Sequence, residues 1–220
     1  MPTAVTLITG ASAGLGVEFA RQLGAKGHRL VLAARRKDRL EALAGELGNA
    51  RAIAIDLAKA GATARLMADL AKAGEEVDLL VNNAGFGLVG RFATLDAKRQ
   101  REMIDLNIGA LTDLCRAVAP GMIERRGGAI LNLASTAAFQ PGPGMAVYFA
   151  TKAYVLSFTE ALHEELRPHG SRSPPCARAR PGPNSAMSRA GAGTLQSTAS
   201  RWTPRLWSSS ASRPSTETRR

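Results

Sequence analysis

Short apolar runs alternate along this chain with longer segments in which apolar residues recur at helical spacing. The runs at residues 4–9, 29–34, 51–56, 77–81 and 129–133 have the length and composition of buried strands. Periodic apolar positions predict helices at about 17–26, 61–73, 98–122 and 146–167. Strands that alternate with helices predict right-handed crossovers and a parallel sheet. We therefore expect a three-layer α/β fold, a doubly wound parallel sheet, in a single domain over residues 1–170.

A glycine-rich turn joins the first predicted strand to the first predicted helix. It runs through Gly10, Ser12, Gly14, Leu15 and Gly16 with the spacing GxxxGxG. Glycines let the backbone approach a pyrophosphate closely, and the free N–H groups that open the helix bind it. Such a turn alone is weak evidence. Its place between a first strand and a first helix predicts a nucleotide site.

Three basic residues follow the second predicted strand, in the segment Ala34-Arg35-Arg36-Lys37. An acidic residue here would bind the ribose 2′-hydroxyl of NAD, and none is present. One interpretation is a solvated basic turn. The other is a 2′-phosphate site with Arg35 as its main ligand, which favours NADP(H) over NAD(H).

Several chemically distinctive residues fall at the carboxyl ends of the predicted strands. They are Gly10, Arg35, Asp56, Asn83 and Ser135. Ligands of open α/β sheets bind outside the carboxyl ends of the strands. The coincidence predicts one shared site.

Tyr148 and Lys152 stand four residues apart near the start of the last predicted helix, so their side chains share a face. A nearby cation favours the phenolate, and such a tyrosine can exchange a proton with an alcohol or ketone. The hydroxyl of Ser135 could hold the same oxygen. In an arbitrary helix this spacing is more often a weak surface pair.

Taken together, these motifs resemble the short-chain dehydrogenase/reductase family. The matching segments are TGxxxGxG from Thr9 to Gly16, NNAG from Asn82 to Gly85, the asparagine Asn107, the serine Ser135, and YxxxK at Tyr148 and Lys152. The resemblance covers about residues 3–170 and implies a Rossmann-like fold.

The resemblance also implies roles for individual residues. Tyr148 would be the general acid and base, Ser135 would orient the substrate oxygen, and Lys152 would assist the tyrosine and hold the nicotinamide ribose. Asn107 would anchor a water in a proton relay, although from the residues alone we expect only a polar tie between a helix and a strand. Further cofactor contacts would come from Asp56, beside the adenine, and from Asn83, Ala84 and Gly85.

The implied reaction moves a hydride between NADP(H) and a small alcohol or ketone. Phe139, Pro141, Pro143 and Met145 suggest an apolar wall for the substrate, a pattern that a loop packed on the core would also show. No metal site is predicted. A homodimer or homotetramer is expected if the intact family fold forms.

Net charge first suggests a different class of protein. The chain carries +11, yet residues 1–170 hold 20 Lys+Arg against 17 Asp+Glu. Residues 171–220 hold nine Arg, no Lys and one acid, Glu217. These arginines are scattered among serines with only Trp202 and Trp207 as aromatic neighbours, which disfavours a nucleic-acid binder.

Cysteine content and the apolar runs indicate a compartment. Cys115 and Cys176 suggest a reducing environment without a disulfide framework. No apolar run approaches the roughly 20 residues that cross a bilayer, and residues 1–10 have no basic region of a signal peptide. We expect a cytoplasmic protein without a membrane partner.

The family pattern ends after Gly170. Residues 171–220 contain no Val, Ile or Phe but eleven Ser, a composition that predicts disorder and the loss of the C-terminal strands. We hypothesise a frameshift, because the codons of this segment, read one base out of frame, permit GVTVTALCPGPARTEFGD, an alternating strand followed by a Pro-Gly turn. A genuine but divergent tail is the alternative. A frameshifted chain could be a truncated, catalytically inactive nucleotide-binding remnant of the family.

Overall fold

A computed structural model describes residues 2–170 and the backbone of residues 177–179. The strands are β1 (Thr3–Thr9), β2 (Leu30–Ala34), β3 (Ala50–Ala54), β4 (Glu75–Asn82), β5 (Ala129–Ser135) and β6 (Ala177–Ala179). The helices are α1 (Leu15–Ala25), α2 (Lys37–Leu47), α3 (Ala62–Lys72), α4 (Ala97–Ile104), α5 (Leu111–Glu124) and α6 (Ala146–Leu166). Short 3₁₀ turns at Thr136–Phe139 and Arg167–His169 follow β5 and α6.

The sheet confirms the predicted parallel α/β fold. Its strand order is β3-β2-β1-β4-β5-β6, and each neighbouring pair is parallel. The chain winds outward from β1 to β3 and then returns to place β4 on the other side of β1. Such a reversal opens a crevice at the carboxyl ends of β1 and β4, where ligands of this architecture bind.

Two apolar layers cover the faces of the sheet. In β1, Leu7 packs on one face with Leu66, Leu114 and Val155, which come from α3, α5 and α6. The next residue along, Ile8, packs on the opposite face with residues of α1 and α2, among them Ala20, Leu40 and Leu43. Because both faces are buried, the strands read as continuous apolar runs rather than as alternating ones.

The long helix predicted at 98–122 is interrupted. A π-helical segment, Asp105–Ala110, separates α4 from α5, and Asn107 lies within it. A π turn accommodates an extra residue in an α-helix and is frequent at functional sites. The apolar positions of residues 98–122 are compatible with one uninterrupted helix, so the pattern did not predict this turn.

A short strand follows β5 among the described residues, within the segment for which we expected the C-terminal strands to be missing. The three residues Ala177–Ala179 form β6, with Leu133 paired to Ala177 and Ser135 to Ala179. Strand pairing uses backbone N–H and C=O groups, so a short segment can pair without large apolar side chains. The predicted disorder and frameshift concern residues that otherwise lie outside the described part of the chain. Within that described part, no helix is long and apolar enough to span a membrane.

Candidate active site

The glycine turn between β1 and α1 leaves the start of the helix open. Gly14 has a φ of 55°, and a Cβ there would meet nothing within 4 Å. No side chain caps the first N–H groups of α1. A Cβ at Gly10 or at Gly16 would lie 2.8 or 2.7 Å from Asn83 Nδ2. The turn therefore presents unoccupied backbone donors, the arrangement that binds phosphate groups.

Thr9 and Asn83 fasten this turn to the end of β4. Thr9 Oγ1 accepts from the N–H groups of Asn83 at 3.1 Å and Ala84 at 3.0 Å. Asn83 Nδ2 donates to the carbonyls of Thr9 at 2.9 Å and Gly10 at 3.2 Å. The Asn83 side chain thus supports the turn, and its predicted contact with a cofactor stays a prediction. The sequence pattern had assigned Thr9 no role.

The two arginines that follow β2 differ in their contacts. Arg36 donates from Nε and Nη2 to Ser12 Oγ, at 3.2 and 3.1 Å, and from Nη2 to the Ser12 carbonyl at 3.0 Å. Arg35 is exposed and makes no hydrogen bond or ion pair with any residue that the structure describes. The sequence favoured Arg35, and Arg36 is the one that contacts the turn.

Asp56 follows β3 and is half-buried. Its Oδ1 accepts from the Ala58 N–H at 3.2 Å, so the carboxylate fixes the local turn. The position is at the carboxyl edge of the sheet, as predicted.

The structure brings Ser135, Tyr148 and Lys152 together beside the end of β5. Ser135 is 2% exposed, and its Oγ accepts from the Ala137 N–H at 3.2 Å. Lys152 is 8% exposed, and its Nζ donates to the Leu133 carbonyl at 2.8 Å. That ammonium lies 6.0 Å from the centroid of the Tyr148 ring.

Asn107 holds the loop after β4. Its Oδ1 accepts from the Phe86 N–H at 3.1 Å, and its Nδ2 donates to the Phe86 carbonyl at 2.9 Å. Gly85 makes room for this arrangement, because a Cβ there would lie 3.0 Å from Asn107 Oδ1 and 3.8 Å from Lys152 Nζ. The structure therefore gathers Gly85, Asn107 and Lys152 at one place. From the residues alone we expected a tie between a helix and a strand, whereas Asn107 ties the π-helical segment to the loop after β4 and to α6.

An apolar surface lies next to Tyr148. Ala137, Met145 and Phe149 form a small buried cluster against which Tyr148 packs. The loop that leads into α6 is joined to the loop after β4 by a hydrogen bond from the Gly90 N–H to the Gly144 carbonyl at 2.8 Å. Of the residues predicted as an apolar wall, Met145 belongs to the cluster, whereas Phe139 is 54% exposed.

A buried polar cluster behind this site was not predicted. Asn82 Nδ2 donates to Asn132 Oδ1 at 2.9 Å and to Cys115 Sγ at 3.3 Å. Asn132 Nδ2 donates to Thr159 Oγ1 at 3.0 Å. Burial raises the pKa of the Cys115 thiol to about 12. The only sequence signal was an asparagine inside each of two apolar strands.

Comparison with known proteins identifies the family. A profile of the short chain dehydrogenase family matches residues 4–174. The NADP-dependent 3-hydroxy acid dehydrogenase YdfG of Salmonella typhi is 41% identical over 169 residues, which are 76% of this chain and 67% of the relative. Serine 3-dehydrogenase of Rhizobium radiobacter is 37% identical over 168 residues, again 76% and 67% of the two chains.

Solved structures lead to the same family. A metagenomic short-chain oxidoreductase in complex with NADP superposes with a TM-score of 0.75 at 35% identity, covering 82% of each chain. A short-chain dehydrogenase from Sphingobium yanoikuyae in complex with NADPH gives a TM-score of 0.71 at 40% identity, covering 78% of this chain and 68% of the other. The chain belongs to the short-chain dehydrogenase family. The predicted family, fold and enzyme class, an oxidoreductase, are confirmed.

Proposed function

We propose that this chain transfers a hydride between NADP(H) and the carbinol or carbonyl carbon of a small alcohol or ketone. Tyr148 is the general acid and base, assisted by Lys152, Ser135 and Asn107. The observation that carries the proposal is the placement of Lys152 next to Tyr148 and to the end of β5, with Ser135 in that strand end and Asn107 on the far side of Gly85.

The residues at the glycine turn fit a dinucleotide phosphate. The uncapped start of α1 offers N–H donors, and the helix dipole favours an anion there. Arg35 supplies an exposed guanidinium for a 2′-phosphate, a pairing that a carboxylate at this position would oppose, while Arg36 holds Ser12 in the turn. The NADP and NADPH named for the two structural relatives agree with this preference.

The cofactor, when bound, supplies the hydride, and the side chains manage the oxygen and its proton. Ser135 Oγ already accepts from the Ala137 N–H, which leaves the hydroxyl hydrogen for the substrate oxygen. The Tyr148 phenol gives its proton to the oxygen during reduction and takes it back during oxidation. The Lys152 ammonium, held by the Leu133 carbonyl, stabilises negative charge that develops on the phenol oxygen.

Apolar carbonyl compounds suit this site. Met145 and Phe149 place hydrocarbon against Tyr148. The relatives act, by their names, on 3-hydroxy acids and on serine, and a structural relative from Comamonas testosteroni is specific for bulky-bulky ketones. We propose small ketones with an apolar substituent as the first substrates to assay.

Tyr148→Phe tests the proposal, since it removes the proton donor and keeps the ring. We expect NADPH oxidation with a small ketone to fall by at least about a hundredfold, with NADPH affinity within about twofold of wild type. Lys152→Ala should lower both the rate of NADPH oxidation and the affinity for NADPH. The measurement is made on the 220-residue chain and on a chain whose tail follows the shifted reading frame.

Two outcomes would contradict parts of this proposal. Near-normal kcat in Tyr148→Phe would remove the tyrosine from its role. A 220-residue chain that binds NADPH but never turns over, beside an active frame-restored chain, would identify the present chain as an inactive nucleotide-binding remnant.

A further inference from the structure

Thr151 occupies a buried position between Tyr148 and Lys152, at 1% exposure. Its Oγ1 donates to the Tyr148 carbonyl at 2.7 Å. The same oxygen accepts from Asn107 Nδ2 at 3.1 Å. One hydroxyl therefore joins the backbone of Tyr148 to the π-helical segment on the neighbouring element.

The contact continues through Asn107 and returns to the tyrosine ring. With Thr151 as a partner, both amide hydrogens of Asn107 and its carbonyl oxygen are engaged, the other bonds going to the Phe86 N–H and carbonyl. The next residue, Gly87, lies against the tyrosine ring, since a Cβ there would be 3.0 Å from Tyr148 Cδ2. A closed circuit of contacts thus runs from the Tyr148 backbone to its ring.

We propose that Thr151 is a positioning residue for the proton-transfer step, holding the Tyr148 phenol in place through Asn107 and the loop after β4. The inference rests on the proposed function and adds a residue to it. Without the hydroxyl, one Asn107 N–H is left buried without a partner, a state that costs more than the bond itself contributes. The loop at Phe86 and the Tyr148 backbone then lose their common tether.

The same helix provides a matched control. A threonine hydroxyl bonded to a carbonyl one turn earlier is common in helices and by itself implies only local structure. Thr159 has this arrangement, with Oγ1 donating to the Val155 carbonyl at 2.6 Å and accepting from Asn132 Nδ2 at 3.0 Å. It is 0% exposed and belongs to the buried cluster behind the site. The two threonines differ in which asparagine they hold.

The test compares Thr151→Val, Thr151→Ser and Thr159→Val in the 220-residue chain. Thr151→Val should lower kcat for ketone reduction by about tenfold to a hundredfold, because a small misplacement of reacting groups has a large effect on rate. The Kd for NADPH, from cofactor fluorescence, should stay within about twofold. Exchange of the Phe86 amide hydrogen, followed by NMR, should accelerate by up to about tenfold as its acceptor loosens.

Thr151→Ser keeps the hydroxyl, so kcat and the slow exchange of the Phe86 amide should stay at wild-type values. Thr159→Val should also leave both quantities unchanged. Wild-type kcat and exchange in Thr151→Val would overturn the proposal, as would equal effects from Thr159→Val. Thr151→Ala carries the same comparison if the valine variant does not fold. If the wild-type chain turns over no ketone, the proposed function fails, and the exchange comparison alone decides whether Thr151 holds the loop to the helix.

Discussion

The two sides of the crevice are held in shape by different means. On the phosphate side, Gly10 and Gly16 allow backbone segments to approach closely, and no side chain caps the helix that follows. On the catalytic side, buried side chains such as Asn107 and Lys152 are fixed by hydrogen bonds to carbonyl and hydroxyl groups. The first side, although Thr9, Asn83 and Arg36 also fasten it by hydrogen bonds, should therefore be the one that fails when atoms are added. The second should fail when a hydrogen-bond partner is removed.

Adding one methyl group to the phosphate side should have the largest effect on folding and on cofactor binding together. In Gly16→Ala the new Cβ would collide with the Gly10 carbonyl and lie 2.7 Å from Asn83 Nδ2 and 2.9 Å from Ala11 Cα. Two of these neighbours are backbone atoms, which cannot rotate away. We expect a loss of about 1–3 kcal/mol of folding free energy and of measurable NADPH binding.

Gly45→Ala is the matched control for that change. Gly45 lies within α2, and a Cβ there would meet nothing within 4 Å. Alanine should stabilise this helix by about 0.5–1 kcal/mol and leave NADPH binding unchanged. Urea unfolding and cofactor fluorescence measure both variants. Equal behaviour of the two alanine variants would mean that close approach at Gly16 does not matter.

The phosphate side could be predicted from the sequence because its determinants are local. A glycine spacing of four and two residues directly encodes the turn between β1 and α1. The pattern could not show which of the two arginines, Arg35 or Arg36, contacts the turn. Their directions depend on the backbone where β2 passes into α2, and Arg36 turned toward Ser12.

Separate substitutions of the two arginines sharpen that distinction. Arg35→Ala should weaken NADPH binding about tenfold and leave NADH binding unchanged, because an exposed guanidinium pairs with the 2′-phosphate alone. Arg35→Asp should reverse the preference toward NADH. Arg36→Ala should weaken both cofactors by a similar factor, because it releases Ser12 in the shared turn. Titrations with NADPH and NADH decide this, and wild-type protein that binds the two equally would refute the 2′-phosphate assignment.

The proposed catalytic residues could be named from the sequence, but the hydrogen bonds that support them could not. Tyr148 and Lys152 share a helical face by spacing alone, whereas the bond between Asn107 and Thr151 joins residues 44 positions apart. Such a pair depends on how α6 packs against the π-helical segment, which hydrophobic periodicity does not encode. The short strand β6 escaped prediction for a related reason, since its pairing relies on backbone groups that every residue carries.

The smallest expected effect concerns the buried polar cluster that contains Cys115. It is a change in how the free energy of unfolding depends on pH. Burial raises the pKa of Cys115 from about 9 in the unfolded chain to about 12, so the folded state keeps the thiol proton to higher pH. The stability that depends on the protonated thiol is therefore complete below pH 9 and is lost as the pH rises toward 12. Urea unfolding between about pH 8 and 10.5 should show wild type losing about 1 kcal/mol more per pH unit above about pH 9 than Cys115→Ala. Parallel curves would mean that the thiolate is tolerated among Asn82 and Asn132.

The phosphate turn, residues 9–16, contains no titratable side chain and so contributes no slope of its own. A difference between the two curves thus reports the Cys115 thiol in its buried polar cluster.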